Sequence, residues 1–344
     1  MKGLRVGGLA LATTLIMLWL CFEAFNREGL VWKTGKPAER VTHVIAVDPV
    51  DPSVVYTDTH PGHIYRSQDS GGTWSSINAG LQRNDEVTQI VVDPTTNATV
   101  YAATRVGIYK SADSGAEWKE SGLRGWNVLA LVTDPINPTT LYAGTSNHNG
   151  MTVFKSEDGG EHWVPSSNGL GRAFIHVLAI DPKSPTTVYA GDSVSGLFKS
   201  TNAGGDWSAV GATGMRIRAL VIDASNPSVL YAATRDAGVM RSADSGATWS
   251  QLSAGLPDEP ADVLVMDPRA TSTLYAGFHQ WGVFKSTDSG GSWSAVNRGL
   301  PGPTYVMTLA IAPKKPSTLF VGTLHRGIFR STNSGGSWKE RNPE

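Results

Sequence analysis

The octet "SADSGAEW", residues 111–118, decides how this chain is read, because nearly the same eight residues return six more times. They recur as "SQDSGGTW" at 67, "SEDGGEHW" at 156, "STNAGGDW" at 200, "SADSGATW" at 242, "STDSGGSW" at 286 and "STNSGGSW" at 331. Successive copies start 44, 45, 44, 42, 44 and 45 residues apart. A period this regular means one supersecondary unit copied along the chain, and periods of about 40 to 50 residues belong to propeller blades or solenoids. The 344 residues therefore read as one closed architecture of seven repeats with no linker to divide them.

Within a repeat, as in "LALVTDPINPTTLYAGTSNHNGMTVFKSEDGGEHW" (129–163), four short apolar or β-branched runs alternate with turn residues. That pattern predicts a four-stranded antiparallel meander. The first run ends at Asp48, Asp93, Asp134, Asp181, Asp223, Asp267 or Ala312, with Pro next in every repeat but the fifth. The second carries Tyr56, Tyr101, Tyr142, Tyr189, Tyr231, Tyr275 or Phe320, and the third brings an aromatic and a base to the octet. The octet then reads as the hairpin between strands three and four. Its third residue is Asp69, Asp113, Asp158, Asn202, Asp244, Asp288 or Asn333, whose short side chain closes a turn by accepting backbone N–H groups. Its fifth is always Gly, able to take positive φ. Its eighth is always Trp, a large wedge whose truncation when buried costs roughly 3 to 5 kcal/mol. Seven such sheets predict an all-β, seven-bladed β-propeller of four-stranded antiparallel blades. "LVWKTG" (30–35) resembles the fourth-strand text "EWKESG", so Trp32 is expected to begin an extra outer strand on the last blade that helps close the ring.

These octets resemble the Asp-box, or BNR repeat, and the likeness covers residues 43–344. It is specific for fold and not for function. Members of that superfamily include sialidases, xyloglucan-degrading glycosidases, sortilin-type receptors and the photosystem II assembly and stability propellers. The sialidases' F/Y-R-I-P tetrapeptide is missing here. The xyloglucanases set two catalytic aspartates between two propellers, whereas this chain supplies one. Sortilin-type receptors carry ten blades and a cysteine-rich module. The photosystem assembly propellers are similar in blade number, length and export, although their second strand typically reads like G-W-A-V-G where this chain has "LYAGT".

Residues 1–29 are a different material. Lys2 and Arg5 precede Val6–Phe22, seventeen residues without a charge, enough for a helix that spans a bilayer. No small-residue cleavage site follows, which predicts a retained signal anchor with the propeller (30–344) on the periplasmic or extracytoplasmic side. Cleavage, or lipidation at Cys21, the lone cysteine, remain the alternatives. A net charge of -1 with 17% charged residues gives no nucleic-acid surface.

Catalysis needs its own evidence. A glycosidase requires two carboxylates about 5 to 9.5 Å apart, and Asp85, Glu86, Asp192, Asp236 and Glu259 lie on loops, where they are expected to be solvated. His60 and His63 lack a third ligand in sequence, so neither a metal nor another cofactor is expected.

Subtracting the repeat leaves five aromatics without a scaffold role: Trp126, Phe174, Phe278, Trp281 and Tyr305. All are expected on the face formed by the loops after strands two and four, opposite the octets. Arg83, Arg105, Arg124, Arg172, Arg216, Arg218, Arg235, Arg298 and Arg326 map to the same face. Arginine mixed with aromatics is the composition of protein interfaces. By contrast Arg66, Lys110, Lys155, Lys199, Arg241, Lys285 and Arg330 share one strand position and are expected to form a solvated stripe. The reading is a non-catalytic, membrane-anchored scaffold that docks on an integral-membrane complex, of the photosynthetic kind by the family likeness. Glycan binding or hydrolysis at the cell envelope is the alternative.

Overall fold

The computed structural model describes residues 41–343, apart from 60, 61, 83, 84, 147–150 and 193. The expected membrane segment, Cys21, Trp32 with its extra strand, Arg83 and His60 lie outside the described residues. No helix among the described residues is long and apolar enough to cross a membrane.

Seven four-stranded antiparallel sheets follow one another as blades 1 to 7, over 45–76, 87–120, 128–165, 175–210, 217–252, 261–295 and 306–340. Each sheet keeps its strands in chain order. First strands touch first strands around the ring, so they are innermost. Second strands such as Val100–Thr104 and Leu141–Thr145 are buried along their whole length, being covered on both faces by neighbouring blades. Fourth strands are two or three residues with at least the first two exposed, short enough to leave little edge for another chain to pair with.

The apolar clusters sit between blades. Tyr56 and Ile64 of blade 1 pack with Ile90, Tyr109 and Trp118 of blade 2, and Ile45 and Val55 pack with Phe320 and Ile328 of blade 7. Small residues in the second strand let sheets approach: a Cβ on Gly144 would meet Ile175 of the next blade at 2.6 Å, and one on Gly277 would meet Val306 at 2.5 Å.

The octets are hairpin turns with a polar lock. In blade 1 the Asp69 carboxylate accepts the Thr73 N–H at 2.8 Å and the Thr73 hydroxyl at 2.9 Å, while the Ser67 hydroxyl accepts the Gly71 N–H at 2.7 Å. Those bonds, the Thr73 N–H first, pull the Asp69 pKa down to about 2. Gly71 takes φ +80°, as its type predicts, but the residue before it is left-handed too: Ser70 has φ 58°, and Ser114, Ala203, Ser245, Ser289 and Ser334 match it. Few non-glycine residues adopt that region, so the lock holds a backbone that only Gly takes freely.

Two contacts recur at most of the junctions between blades. The second-strand tyrosine donates its hydroxyl to the carbonyl of the octet's fourth residue in the following blade: Tyr101 to Gly159 at 3.0 Å, Tyr142 to Ala203 at 2.9 Å, Tyr275 to Ser334 at 3.2 Å. The octet Trp reaches the other way, Trp118 Nε1 to the Ile77 carbonyl at 2.7 Å and Trp163 Nε1 to that of Ser121 at 2.7 Å. The basic stripe belongs to these junctions and is not solvated. Lys110, Lys155, Lys199, Arg241 and Lys285 are half-buried, with their charges 5.4 to 5.9 Å from the centroids of the second-strand tyrosines.

The ring closes by the same means. Thr42 N–H donates to the Thr323 carbonyl at 3.2 Å and Trp74 Nε1 to that of Arg341 at 2.8 Å. Phe320 has no hydroxyl, and Arg330 takes its place by donating Nη1 to the Ser70 carbonyl at 2.6 Å. Among the described residues the outermost strand of blade 7 is Lys339–Glu340.

Candidate functional site

Backbone hydrogen bonds such as Arg105 N–H to the Glu86 carbonyl at 3.1 Å and Arg235 N–H to that of Arg216 at 3.0 Å tie the loops after strands two and four into one face. Of the five large hydrophobic residues exposed among the described residues, three stand at tips of its strand-two loops: Val106 in blade 2, Val194 in blade 4 and Trp281 in blade 6. Val194 is 66% exposed and Trp281 53%.

The leftover aromatics divide. Trp281 is presented to solvent while its backbone is held: its carbonyl accepts from Asn297 Nδ2 at 2.8 Å, and it bridges to Thr304 on the way into blade 7. Tyr305 is half-buried beside it, its ring edge-on to His279 at 4.5 Å and to His325 at 6.0 Å between centroids. Both histidines are exposed, so three rings from blades 6 and 7 form one aromatic ledge. Trp126 is half-buried against Phe154, edge-on at 4.7 Å, and packs on the core of blade 3. Phe174 is half-buried, with its N–H donated to Asp192 at 2.8 Å. Phe278 corrects the expectation outright. It ends the second strand of blade 6 at 0% exposure against Phe284, because the position that holds Thr in most blades faces inward.

The arginines divide as well. Arg105 pairs with Glu86 at 2.6 Å, Arg124 with Glu120 at 3.8 Å, and Arg218 with Asp262 of the next blade at 3.3 Å. Arg216 grips Asp236 through two nitrogens, which raises the arginine and lowers the carboxylate. Arg172, Arg235, Arg298 and Arg326 are exposed, without an ion-pair partner among the described residues. Arg235 borders a cleft of about 350 Å³ in blade 5 with Asp236, Asp258 and Glu259.

The expected solvated acids are mostly engaged instead. Asp85 is buried and accepts the Tyr109 hydroxyl at 2.6 Å, and burial with that bond pushes Tyr109 well above the ordinary phenol range. Asp192, 1% exposed, accepts N–H groups from Phe174 and Ser195. Glu86 and Asp236 are the ion-paired partners already named, and Glu259 alone of the five stands exposed without one.

Sequence reasoning missed a ring of side chains at this face's inner edge. In six blades the first strand bulges at one residue, Thr88, Leu129, His176, Arg218, Asp262 or Met307, and the corresponding place in blade 1 holds His43. A β-bulge re-aims a side chain and is conserved as a device near functional sites. Here the bulge repeats while the residue at it never follows the repeat, a signal an alignment of the seven copies could have given. His176 is held below its ordinary pKa, by burial first and then by Arg218 next door. His43 is held above its own: burial opposes the charge, but the hydrogen bond and attraction of Asp58 outweigh it. Asp58, 1% exposed where other blades have Ala or Gly, accepts the His43 and Val44 N–H groups on one oxygen and His43 Nδ1 at 3.2 Å on the other.

Residues 28–173 match the DUF6242 beta propeller domain. A xyloglucanase of Paenibacillus sp is 27% identical over 186 residues, 48% of this chain and 16% of that enzyme, and one of Hypocrea jecorina is 32% identical over 134 residues, 37% of this chain and 16% of the enzyme. The matched stretches thus span well under a fifth of those relatives' length. Among solved structures, the GH74 xyloglucanase of Xanthomonas campestris superposes with a TM-score of 0.76 at 17% identity, covering 91% of this chain and 56% of the other. YCF48 from Cyanidioschyzon merolae superposes with a TM-score of 0.66 at 14% identity, covering 88% of this chain and 99% of the other. YCF48 bound to D1 peptide gives 0.67 at 12%, over 88% and 98%. The seven-bladed propeller is therefore an architecture shared with YCF48 and with GH74 propeller enzymes.

Proposed function

We propose that this chain is a non-catalytic scaffold, held at the membrane by its N-terminal segment on the extracytoplasmic side, whose loop face docks a segment of an integral-membrane protein complex. The observation that carries the reading is the placing of Val106, Val194 and Trp281 at the tips of that face, among exposed Arg172, Arg235 and Arg326. Exposed apolar tips interspersed with arginine are what a protein interface uses for its few energetic anchors. Similarity in fold and in length to YCF48, which is known with a bound D1 peptide, favours a photosynthetic complex as the client. Four of the five candidate carboxylates are spent on internal hydrogen bonds and ion pairs, which weighs against a glycosidase pair.

The test is native purification from membranes with identification of co-eluting proteins, for wild type and for Trp281→Ala combined with Arg172→Ala and Arg326→Ala. These exposed side chains leave the core untouched, so the variant should stay folded and lose its complex. Unimpaired co-purification would overturn the docking face. The second reading, glycan hydrolysis, is favoured by the xyloglucanase relatives and by the aromatic ledge of His279, Tyr305 and His325. Release of reducing ends from xyloglucan by the purified chain would establish it in place of the first. Intact mass decides the anchor: loss of the first 20 to 30 residues, about the length of a signal peptide, would remove it.

A further inference from the structure

The octet of blade 3 departs from the other six at two adjacent places. Positions six and seven are Gly72–Thr73, Ala116–Glu117, Gly205–Asp206, Ala247–Thr248, Gly291–Ser292 and Gly336–Ser337 elsewhere, but Glu161–His162 here. Thr73, Thr248 and Ser292 use their hydroxyls to close on the octet carboxylate. His162 makes that contact with an imidazole, Nδ1 to Asp158 Oδ2 at 2.7 Å. Donor atoms of Asp158, Glu161 and His162 all lie within 4.8 Å of one another.

The turn holds the first of these donors ready. Asp158 Oδ1 accepts the Ser156 hydroxyl at 2.8 Å, the Glu161 N–H at 3.0 Å and the His162 N–H at 2.9 Å, which leaves Oδ2 turned to the imidazole. Ligands on a tetrahedral zinc, at about 2.0 to 2.2 Å from the ion, stand roughly 3.3 Å apart. The Asp158–His162 pair must open slightly and Glu161 must close in, which a side chain as exposed as His162, at 85%, allows.

We infer that Asp158, Glu161 and His162 form a surface site for a divalent first-row transition ion of the zinc type. One imidazole and two carboxylates suit such an ion, whereas calcium and magnesium take oxygen donors alone. The ion takes the place of the direct contact between Nδ1 and Oδ2, the neutral imidazole binding it through Nδ1 with its hydrogen on Nε2. Three protein ligands leave a coordination position for water or for a donor from another molecule. Glu161 also borders a cleft of about 240 Å³ shared with Asp113 and Glu117 of the neighbouring octet and with Lys119 just after it, so such a donor has room to approach.

The full chain, stripped with a chelator, is titrated with Zn²⁺ against a chromophoric competitor. His162→Thr restores the residue of blades 1 and 5 and keeps the octet closed; Glu161→Gly restores that of blade 1 and keeps the His162–Asp158 contact. Wild type should bind Zn²⁺ saturably, and each substitution should weaken binding by about 10-fold or more, at least what loss of a supporting group costs a metal site. Excess Ca²⁺ should not compete. Affinity unchanged in both variants, no saturable binding by wild type, or displacement by Ca²⁺ would each overturn the assignment.

Discussion

Replacing Arg330 by Met should weaken the ring at one seam more than the equivalent change weakens any other. At six junctions a tyrosine hydroxyl occupies the octet carbonyl of the next blade, and at five of them the base on the third strand lies over that ring. At the seventh, Phe320 offers no hydroxyl, and the Ser70 carbonyl depends on Arg330 Nη1 at 2.6 Å. A hydrogen bond from a charged donor is worth about 1.5 to 3 kcal/mol. Arg330→Met should therefore cost about 2 kcal/mol, and at roughly 2 °C per kcal/mol for a domain of this size lower the Tm by about 4 °C. Lys285→Met is the control: Tyr275 remains on the Ser334 carbonyl at 3.2 Å, and the lost ammonium contact was long, at 3.4 Å. That variant should lose less than about 1 kcal/mol. Adding Phe320→Tyr to Arg330→Met should recover about 1 kcal/mol, since the Phe320 ring already stands against octet 1, 3.4 Å from where a Cβ on Gly71 would lie. Denaturant melts of the three variants decide it. Equal losses in Arg330→Met and Lys285→Met, or no rescue by tyrosine, would refute the account of the seam.

Trp207 donates Nε1 to the Ser166 carbonyl at 2.7 Å, whereas Trp293 Nε1 is buried without a partner; Trp207→Phe should thus be about 1 kcal/mol more destabilising than Trp293→Phe in the same melts. Acid should loosen the octets in a defined window. Asp69, Asp244 and Asp288 titrate at about 2 in the fold, so their stabilisation is complete above the ordinary value of 3.8 and is lost as pH falls through about 2. Melts from pH 5 to pH 2 should decline over that range, and less steeply once Asp244 and Asp288 are changed to the Asn that octets 4 and 7 already carry. His43 has the opposite sign: its contact with Asp58 stabilises fully below 6.5 and fades as pH rises through its raised value. Imidazole NMR should find that titration above 6.5 in wild type and lower in Asp58→Asn, where burial acts without the compensating charge.

What the sequence by itself determined is everything that repeats. Seven octets at a near-constant spacing are seven copies of one local hairpin, and Asp, Gly and Trp at fixed places state turn and wedge without reference to any partner. Blade number, strand order and the two faces follow from that count. Tertiary structure decided what depends on the neighbouring blade. A lysine after an aromatic reads as a solvated base until the next octet is seen to cover it, as it covers Lys110 through the Gly159 carbonyl at 2.8 Å. Phe278 reads as a loop residue because nothing local says that its strand runs one residue further into the core. Trp126 and Trp281 look alike in sequence, yet one meets Phe154 and the other meets solvent. The bulge ring of His176, Arg218 and Asp262 lay hidden for the same reason: each residue comes from a different repeat, over 40 positions from the next, and only closing the circle brings them to one rim. Local propensity writes the blade, while burial and charge pairing are properties of the gap between blades, which no single repeat contains.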